Sequence, residues 1–143
     1  MSATGDRAAG FTLLETLAAL ALAAMIGAIA FPLLGSAVPT AVLAQARSEL
    51  LSDLRTARGQ ALRSGIPAAL EVSADGRSYG WTGGGRHALA ATIRLQTIGQ
   101  PLAFYPDGSA RGGGLILTAD GRRAGVAVGP TGAVWAMRPG DLP

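Results

Sequence analysis

Glu15 is the residue with the clearest chemical role to explain, because it is the single charged residue of a long apolar stretch. Residues 11–34 contain no other Asp, Glu, Lys or Arg. An ionised carboxylate at the centre of a membrane helix costs roughly 2.5 to 3.5 kcal/mol, so a charge in such a segment indicates a function or a partner. Near the start of a helix, unpaired N–H groups and the helix dipole favour an anion. These features predict that Glu15 pairs with a positive group.

The other residues that could do chemistry form no recognisable catalytic or metal-binding set. His87 is the only histidine, and the absence of cysteine excludes disulfides, iron–sulfur clusters and thiolate zinc sites. We interpret His87 as a solvated loop residue, and Asp107 and Ser109 as turn residues rather than members of a Ser-His-Asp triad. The sequence therefore predicts no catalytic residue, no metal ligand and no cofactor, and the protein is not expected to be an enzyme.

The basic residues give little indication of a nucleotide or an acidic partner. All 12 are arginine, so a P-loop that ends in Gly-Lys-Ser/Thr is excluded. The glycine runs at 83–85 and 112–114 lack the strand–loop–helix context of a nucleotide site. A net charge of +3 is weak, and we interpret the Arg122-Arg123 pair as solvated charge at a hairpin tip.

The element that must position Glu15 is the apolar segment 10–34. As one helix, residues 11–34 would be roughly 36 Å long, against a hydrocarbon core of about 30 Å. A secretory signal peptide has its small-residue cleavage site after the apolar core, whereas the Ala8-Ala9-Gly10 run comes before it. Cleavage there would leave the helix on the mature protein. An ordinary uncleaved membrane anchor is the alternative that hydropathy alone favours.

The six residues GFTLLE that begin at Gly10 resemble the prepilin peptidase recognition site of type IV pilins and type II secretion pseudopilins. This resemblance implies cleavage between Gly10 and Phe11 by a membrane aspartic protease, and N-methylation of Phe11. Glu15 matches the family glutamate, which implies pairing with an N-terminal amine, its own or that of another subunit, during assembly. Pro32 matches a helix-breaking proline of these proteins.

A second helical segment follows the apolar one. Gly35-Ser36 and Pro39 predict a bend, although Pro39 is also compatible with the first turn of a separate helix. Beyond them, apolar residues recur at steps of three and four, which predicts one buried stripe on an amphipathic helix: Leu43, Ala46, Leu50, Leu54, Ala57 and Ala61. The run 64–67 ends this helix. Because the stripe is mostly small residues, we expect a flat β-sheet to pack on it.

The chain beyond residue 68 predicts short strands separated by turns. Asp75-Gly76 predicts a β-hairpin, and residues 82–87 predict a mobile loop. Strands predicted over 115–118, 124–128 and 133–137 form a natural meander. The fold class is therefore α+β, with a long N-terminal helix packed on antiparallel β-sheet.

The last forty or so residues carry a second, independent resemblance. From Phe104 the order is F-x-PDGS, a Gly-Gly pair, an aliphatic strand, a DG turn, a Val-rich strand and a closing TG-x-V. This order resembles the globular domain of type II secretion minor pseudopilin H and of FimT-like minor pilins, and it implies a type IV pilin-like fold. Residues 68–100 resemble no family.

The two resemblances imply a minor pseudopilin, a structural subunit near the tip of the type II secretion pseudopilus that helps to drive protein export. The expected domains are a leader peptide (1–10), a transmembrane and assembly helix (11–34), its amphipathic continuation (35–66) and a β-rich periplasmic domain (67–143). Expected partners are other pseudopilins, the prepilin peptidase and the inner-membrane assembly platform. The N-terminus would face the cytoplasm.

A FimT-like minor type IV pilin that binds DNA during natural transformation is the alternative function. DNA binding favours basic residues clustered on one face. The predicted last strand, AVWAMR over 133–138, is mostly apolar where those relatives tend to be basic. We therefore expect no nucleic-acid partner. An unrelated membrane-anchored enzyme is a third alternative, which the absence of a catalytic set disfavours.

Overall fold

A computed structural model describes the backbone of residues 12–142 and their side chains, except those of residues 32–38 and 139. The predicted leader and the cleavage site at Gly10 and Phe11 lie outside the described residues. The chain forms two compact units, Met1–Ala37 and Val38–Pro143.

Helix α1 runs from Leu13 to Ser64, and Thr12 caps its start. The Thr12 carbonyl oxygen accepts hydrogen bonds from the N–H groups of Glu15 at 3.0 Å and Thr16 at 3.2 Å. The Thr12 hydroxyl oxygen also accepts from the Glu15 N–H, at 3.2 Å. A threonine at this position pairs an N–H group that the helix itself leaves without a partner.

The first unit contains the apolar part of helix α1. The span Leu13–Phe31 has a mean hydropathy of 2.1, none of it is buried, and it is long and apolar enough to cross a membrane. The family resemblance implies a helix break at Pro32, but the helix continues through this residue without interruption. A proline removes only one backbone hydrogen bond of a helix, and an apolar environment penalises any further loss of backbone pairing. The predicted break is therefore absent from the described backbone.

The second unit uses the rest of helix α1 as one wall of its core. The six residues of the predicted stripe are each at most 6% exposed: Leu43, Ala46, Leu50, Leu54, Ala57 and Ala61. The helix ends where Gly65 adopts a positive φ of 69° and donates its N–H to the Ala61 carbonyl oxygen at 3.1 Å. The amphipathic helix and its apolar stripe are confirmed.

Nine strands follow the helix within the described residues. They are β1 Ala68–Val72, β2 Ser78–Trp81, β3 Arg86–Ala88, β4 Arg94–Ile98, β5 Ala103–Phe104, β6 Ala110–Arg111, β7 Gly113–Ala119, β8 Arg122–Val128 and β9 Val134–Ala136. Their pairs are antiparallel and form a sheet of order β3-β2-β1-β5-β6 and a second sheet of order β4-β7-β8-β9. The predicted hairpin at Asp75-Gly76 joins β1 to β2, and the predicted meander is β7-β8-β9. Both are confirmed.

The mobile loop predicted over 82–87 is wrong in its second half. Gly83 has a positive φ of 78°, and the Gly84 N–H donates to the Trp81 carbonyl oxygen at 2.8 Å. This tight turn ends early enough for residues 86–88 to pair with β2, with His87 opposite Tyr79. His87 is therefore a strand residue.

The core of the second unit lies between helix α1 and the inner faces of the sheets. Along β7, Leu115 and Leu117 are at most 1% exposed and face the core, as the alternation of a strand requires. The rings of Trp81 and Phe104 lie 6.0 Å apart. Every member of the main buried cluster lies between Leu43 and Val128. Val38–Pro143 thus contains its own complete core.

Candidate functional site

Glu15 is the acidic residue in the first turn of helix α1. The side chain is exposed, and within the described residues its carboxylate has no hydrogen bond or ion pair. The carboxylate therefore stands at the positive end of the helix dipole, where a negative charge is stabilised. Its pairing with the amine of Phe11 remains a prediction, because Gly10 and Phe11 lie outside the described part of the chain.

The helix around Glu15 presents a continuous apolar surface. Nine large apolar side chains are between 56% and 81% exposed: Leu13, Leu14, Leu17, Leu20, Leu22, Met25, Ile26, Ile29 and Phe31. Removing one such side chain from water contributes roughly 1.5 to 3 kcal/mol. Lipid or neighbouring apolar helices would both cover this surface, so the segment can serve as an anchor and as a packing element.

Arg58 is a site residue that the sequence interpretation missed. It lies beside the apolar stripe of helix α1, and its guanidinium donates to the carbonyl oxygens of Gly108 and Thr131. Gly108 belongs to the PDGS turn and Thr131 to the TG turn, so one side chain ties both turn motifs to the helix. In the sequence, the only signal of this role is an arginine that directly follows Ala57 of the apolar stripe.

A polar cluster joins helix α1 to the β2–β3 hairpin. The Tyr79 hydroxyl donates to Asp53 Oδ2 at 2.6 Å, and His87 Nδ1 lies 3.5 Å from the same oxygen. The rings of His87 and Tyr79 stack with centroids 5.5 Å apart. Burial, and then the bond to Asp53, raise the pKa of Tyr79 well above its usual value of 10.0. Through Asp53, these contacts connect helix α1 to strands β2 and β3.

Asp107 and Ser109 form a turn. Asp107 Oδ1 accepts hydrogen bonds from the Ser109 hydroxyl at 2.6 Å and from the Ser109 N–H at 2.9 Å. The hydroxyl bond, followed by the N–H bond, lowers the pKa of Asp107. The predicted turn role of both residues is confirmed. Among the described residues no three His, Asp or Glu side chains are grouped to hold a metal ion.

The two tryptophans and the Arg122-Arg123 pair lie outside these clusters. Trp81 is buried in the core, whereas Trp135 is 49% exposed on β9. Arg122 and Arg123 are both exposed and follow the turn between β7 and β8. Neither feature forms a catalytic arrangement.

Two family models match this chain, one at its N-terminal part and one over most of the rest. The model of the family "Type II transport protein GspH" matches residues 46–132, which is more than half of the chain. The model of the "Prokaryotic N-terminal methylation motif" matches residues 5–31. The first range covers most of the second structural unit, and the second covers Glu15 and the apolar helix.

One relative of known family agrees with this match. The chain is 28% identical over 130 residues to "Type II secretion system protein H" of Xanthomonas campestris pv. campestris, an alignment that covers 84% of this chain and 77% of that protein.

Two solved structures share the fold. The minor pseudopilin EpsH of Vibrio cholerae superposes with a TM-score of 0.59 at 15% identity, over 74% of this chain and 99% of that one. The type IV minor pilin FimU of Pseudomonas aeruginosa superposes with a TM-score of 0.58 at 17% identity, over 71% and 92%. The predicted α+β, type IV pilin-like fold is confirmed. The chain belongs to the type II transport protein GspH family.

Proposed function

We propose that this GspH-family chain is a non-enzymatic structural subunit that enters the type II secretion pseudopilus near its tip and so helps to drive protein export. The observation that carries the proposal is the exposed apolar helix with one carboxylate in its first turn. In the membrane, lipid covers this helix, and in the fibre neighbouring helices cover it. Transfer between the two exchanges one apolar environment for another, so its cost is small.

The precursor has a leader (1–10), an assembly helix (11–34), an amphipathic continuation (35–66) and a β-rich domain (67–143). Prepilin peptidase cleaves between Gly10 and Phe11, and Phe11 is N-methylated. Before assembly, the mature chain resides in the inner membrane, with its N-terminus in the cytoplasm and its globular domain in the periplasm. The assembly platform then docks it against other pseudopilins. The match to the methylation motif over residues 5–31 supports this order of events.

Glu15 selects the docked position by pairing with an N-terminal amine. A carboxylate surrounded by apolar helices is stabilised by a close positive charge, so a wrong axial register leaves it unpaired at a cost of several kcal/mol. Only one register along the fibre brings the two charges together. We propose that Pro32 allows the helix to adjust to its neighbours at this stage.

The test replaces Glu15 in the full chain and follows the protein through two fractions. Glu15→Val should leave the chain in the inner membrane at normal amounts, because the apolar span is intact, and should remove it from sheared fibres. Glu49→Ala is the matched control, since Glu49 is an exposed glutamate of the same helix outside the apolar segment. Normal incorporation of Glu15→Val into fibres would contradict the role of Glu15.

Mass spectrometry of the mature N-terminus tests the processing step separately. A chain that begins with methylated Phe11 is the expected product. A chain that still carries residues 1–10, or one that has lost the apolar segment altogether, would contradict the proposal.

A further inference from the structure

Strand β9 offers unpaired backbone groups at the outer edge of its sheet. Two hydrogen bonds, each 2.9 Å long, join this part of the chain to the β8 side: the Ala133 carbonyl oxygen accepts one, and the Met137 N–H donates the other. Trp135 lies between these two residues in the chain and is in register with β8. Backbone groups of successive strand residues alternate between the two sides. The N–H and C=O groups of Val134 and Ala136 therefore point away from β8, and no other described backbone group pairs with them.

The opposite edge of the same sheet is covered. On β4, the Leu95 N–H donates to the Gly76 carbonyl oxygen at 2.8 Å, and the Arg94 guanidinium donates to the Asp75 carbonyl oxygen at 2.8 Å. The β1–β2 turn thus occupies the edge of β4. Because unprotected edges recruit other strands, the lack of such a cover on β9 distinguishes this edge.

A groove of about 320 Å³ lies between helix α1 and the start of β9, where Gly132, Ala133 and Val134 line it; we call it the β9 groove. Leu62, which is 47% exposed, and Val134 give it an apolar floor. Arg55 and Arg58 line it as well, and no acidic side chain does. Arg58 donates only to carbonyl oxygens, and Arg55 has no hydrogen bond or ion pair within the described residues. The positive charge of the groove is therefore not neutralised there.

We propose that the β9 groove holds an extended segment of a neighbouring pseudopilin, which pairs with β9 as an added strand and directs a carboxylate toward Arg55. The identity of the neighbour rests on the proposed function. The outward groups of Val134 and Ala136 supply the backbone pairing, and the guanidinium of Arg55 supplies the complementary charge. An exposed sheet edge beside side-chain pockets is a recurrent way of recognising an extended peptide.

Site-specific photocross-linking in assembled fibres tests the proposal. A benzophenone amino acid at Leu62 of the full chain is expected to cross-link to a different pilin-like subunit, at a segment that contains Asp or Glu. The matched control carries the same amino acid at Thr56, an exposed residue of helix α1 that does not line the groove. The control is expected to give no adduct with that segment.

Two variants separate the contribution of backbone pairing by β9 from the contribution of the Arg55 charge to binding of the segment. Ala136→Pro removes an outward N–H and leaves the bonds to β8 in place, as an edge strand tolerates. Arg55→Glu reverses the charge, and Arg122→Glu is its control at the far hairpin tip. Ala136→Pro and Arg55→Glu should lose the Leu62 adduct, whereas Arg122→Glu should keep it. Circular dichroism of each variant establishes that it is folded.

The outcomes distinguish this proposal from the function on which it rests. If the unsubstituted chain is absent from sheared fibres, the proposed function fails. If the chain is present but the Leu62 probe gives no adduct, the groove proposal alone fails. An adduct with DNA or with a second copy of this chain also overturns it, as does an adduct that Arg55→Glu and Ala136→Pro leave unchanged.

Discussion

The guanidinium of Arg58 holds the turn at Gly108, with its Nε donating a hydrogen bond to the Gly108 carbonyl oxygen at 3.1 Å. Its Nη2 donates to the Thr131 carbonyl oxygen at 3.2 Å. The planar fork of an arginine reaches both acceptors from one side chain, and a lysine cannot. The two turn motifs are thereby fixed to the part of helix α1 that belongs to the second unit.

Loss of Arg58 should destabilise the second unit. A hydrogen bond from a charged donor contributes roughly 1.5 to 3 kcal/mol, so Arg58→Ala should lower the free energy of unfolding by about 2 kcal/mol or more. Arg58→Lys should recover only part of this loss. Urea denaturation of the fragment Val38–Pro143 measures the change. Arg55→Ala is the control, and its free energy of unfolding should stay within about 0.5 kcal/mol of that of the parent. Equal stability of the two alanine variants would contradict a stabilising role of the Arg58 hydrogen bonds.

Gly132 should be far less replaceable than Gly121, although both have a φ of +74°. A Cβ at Gly132 would clash with the Gly108 carbonyl oxygen and lie 2.5 Å from Arg58 Nε, whereas a Cβ at Gly121 would meet open space. Gly121→Ala should cost only the backbone penalty of about 1 to 2 kcal/mol. Gly132→Ala should cost more than about 3 kcal/mol because the turn must move. Thermal unfolding of the two variants compares them directly, and equal melting temperatures would exclude the close contact.

The Tyr79–Asp53 bond should make stability sensitive to alkaline pH. The pKa of Tyr79 is raised in the folded state by burial and by Asp53, so the folded chain holds the phenolic proton more tightly than the unfolded chain. The corresponding stability is complete below about pH 10 and falls as the pH rises above it. Tyr79→Phe should remove that part of the decline and should also lower stability near pH 7 by about 1 kcal/mol.

Urea titrations of the parent and of Tyr79→Phe between pH 7 and 11 measure both effects. Absorbance of the phenolate in the parent follows ionisation independently. Tyr105→Phe shows the effect at pH 7 of removing a tyrosine hydroxyl that does not bond to Asp53. Identical pH profiles of the parent and Tyr79→Phe would show that the bond does not couple ionisation to folding.

The sequence predicted the elements that depend on neighbouring residues. The stripe from Leu43 to Ala61 follows from the helical period, and the hairpin at Asp75-Gly76 follows from local backbone preferences. Contacts between distant residues have no such local signature. Arg58 meets Gly108 across fifty positions and Tyr79 meets Asp53 across twenty-six, so neither tie was predicted.

Two expectations differ from the structure, one because strand pairing outweighed a local loop preference and one because the turns of the helix on either side of a proline maintain it. Residues 86–88 lie beside a glycine run that favours a loop, yet pairing with β2 makes them a strand. Pro32 disfavours a helix, yet the helix continues on both sides of it. A single residue alters the free energy of forming a local element of secondary structure by only a few kcal/mol. Hydrogen bonds in the flanking turns can offset this change.

The fragment Val38–Pro143 should not bind duplex DNA with the steep salt dependence of a DNA-uptake pilin. A protein that contacts 6 to 10 phosphates loses roughly 10³- to 10⁵-fold in affinity between 50 and 200 mM salt. Here Arg58 is engaged by two carbonyl oxygens, and β9 itself contains no basic residue. Gel-shift titrations at both salt concentrations, with Arg122→Glu beside the parent, provide the test. Tight binding at 50 mM salt that weakens steeply by 200 mM, and that Arg122→Glu abolishes, would favour the FimT-like function, because a phosphate-binding surface would then exist at the β7–β8 tip.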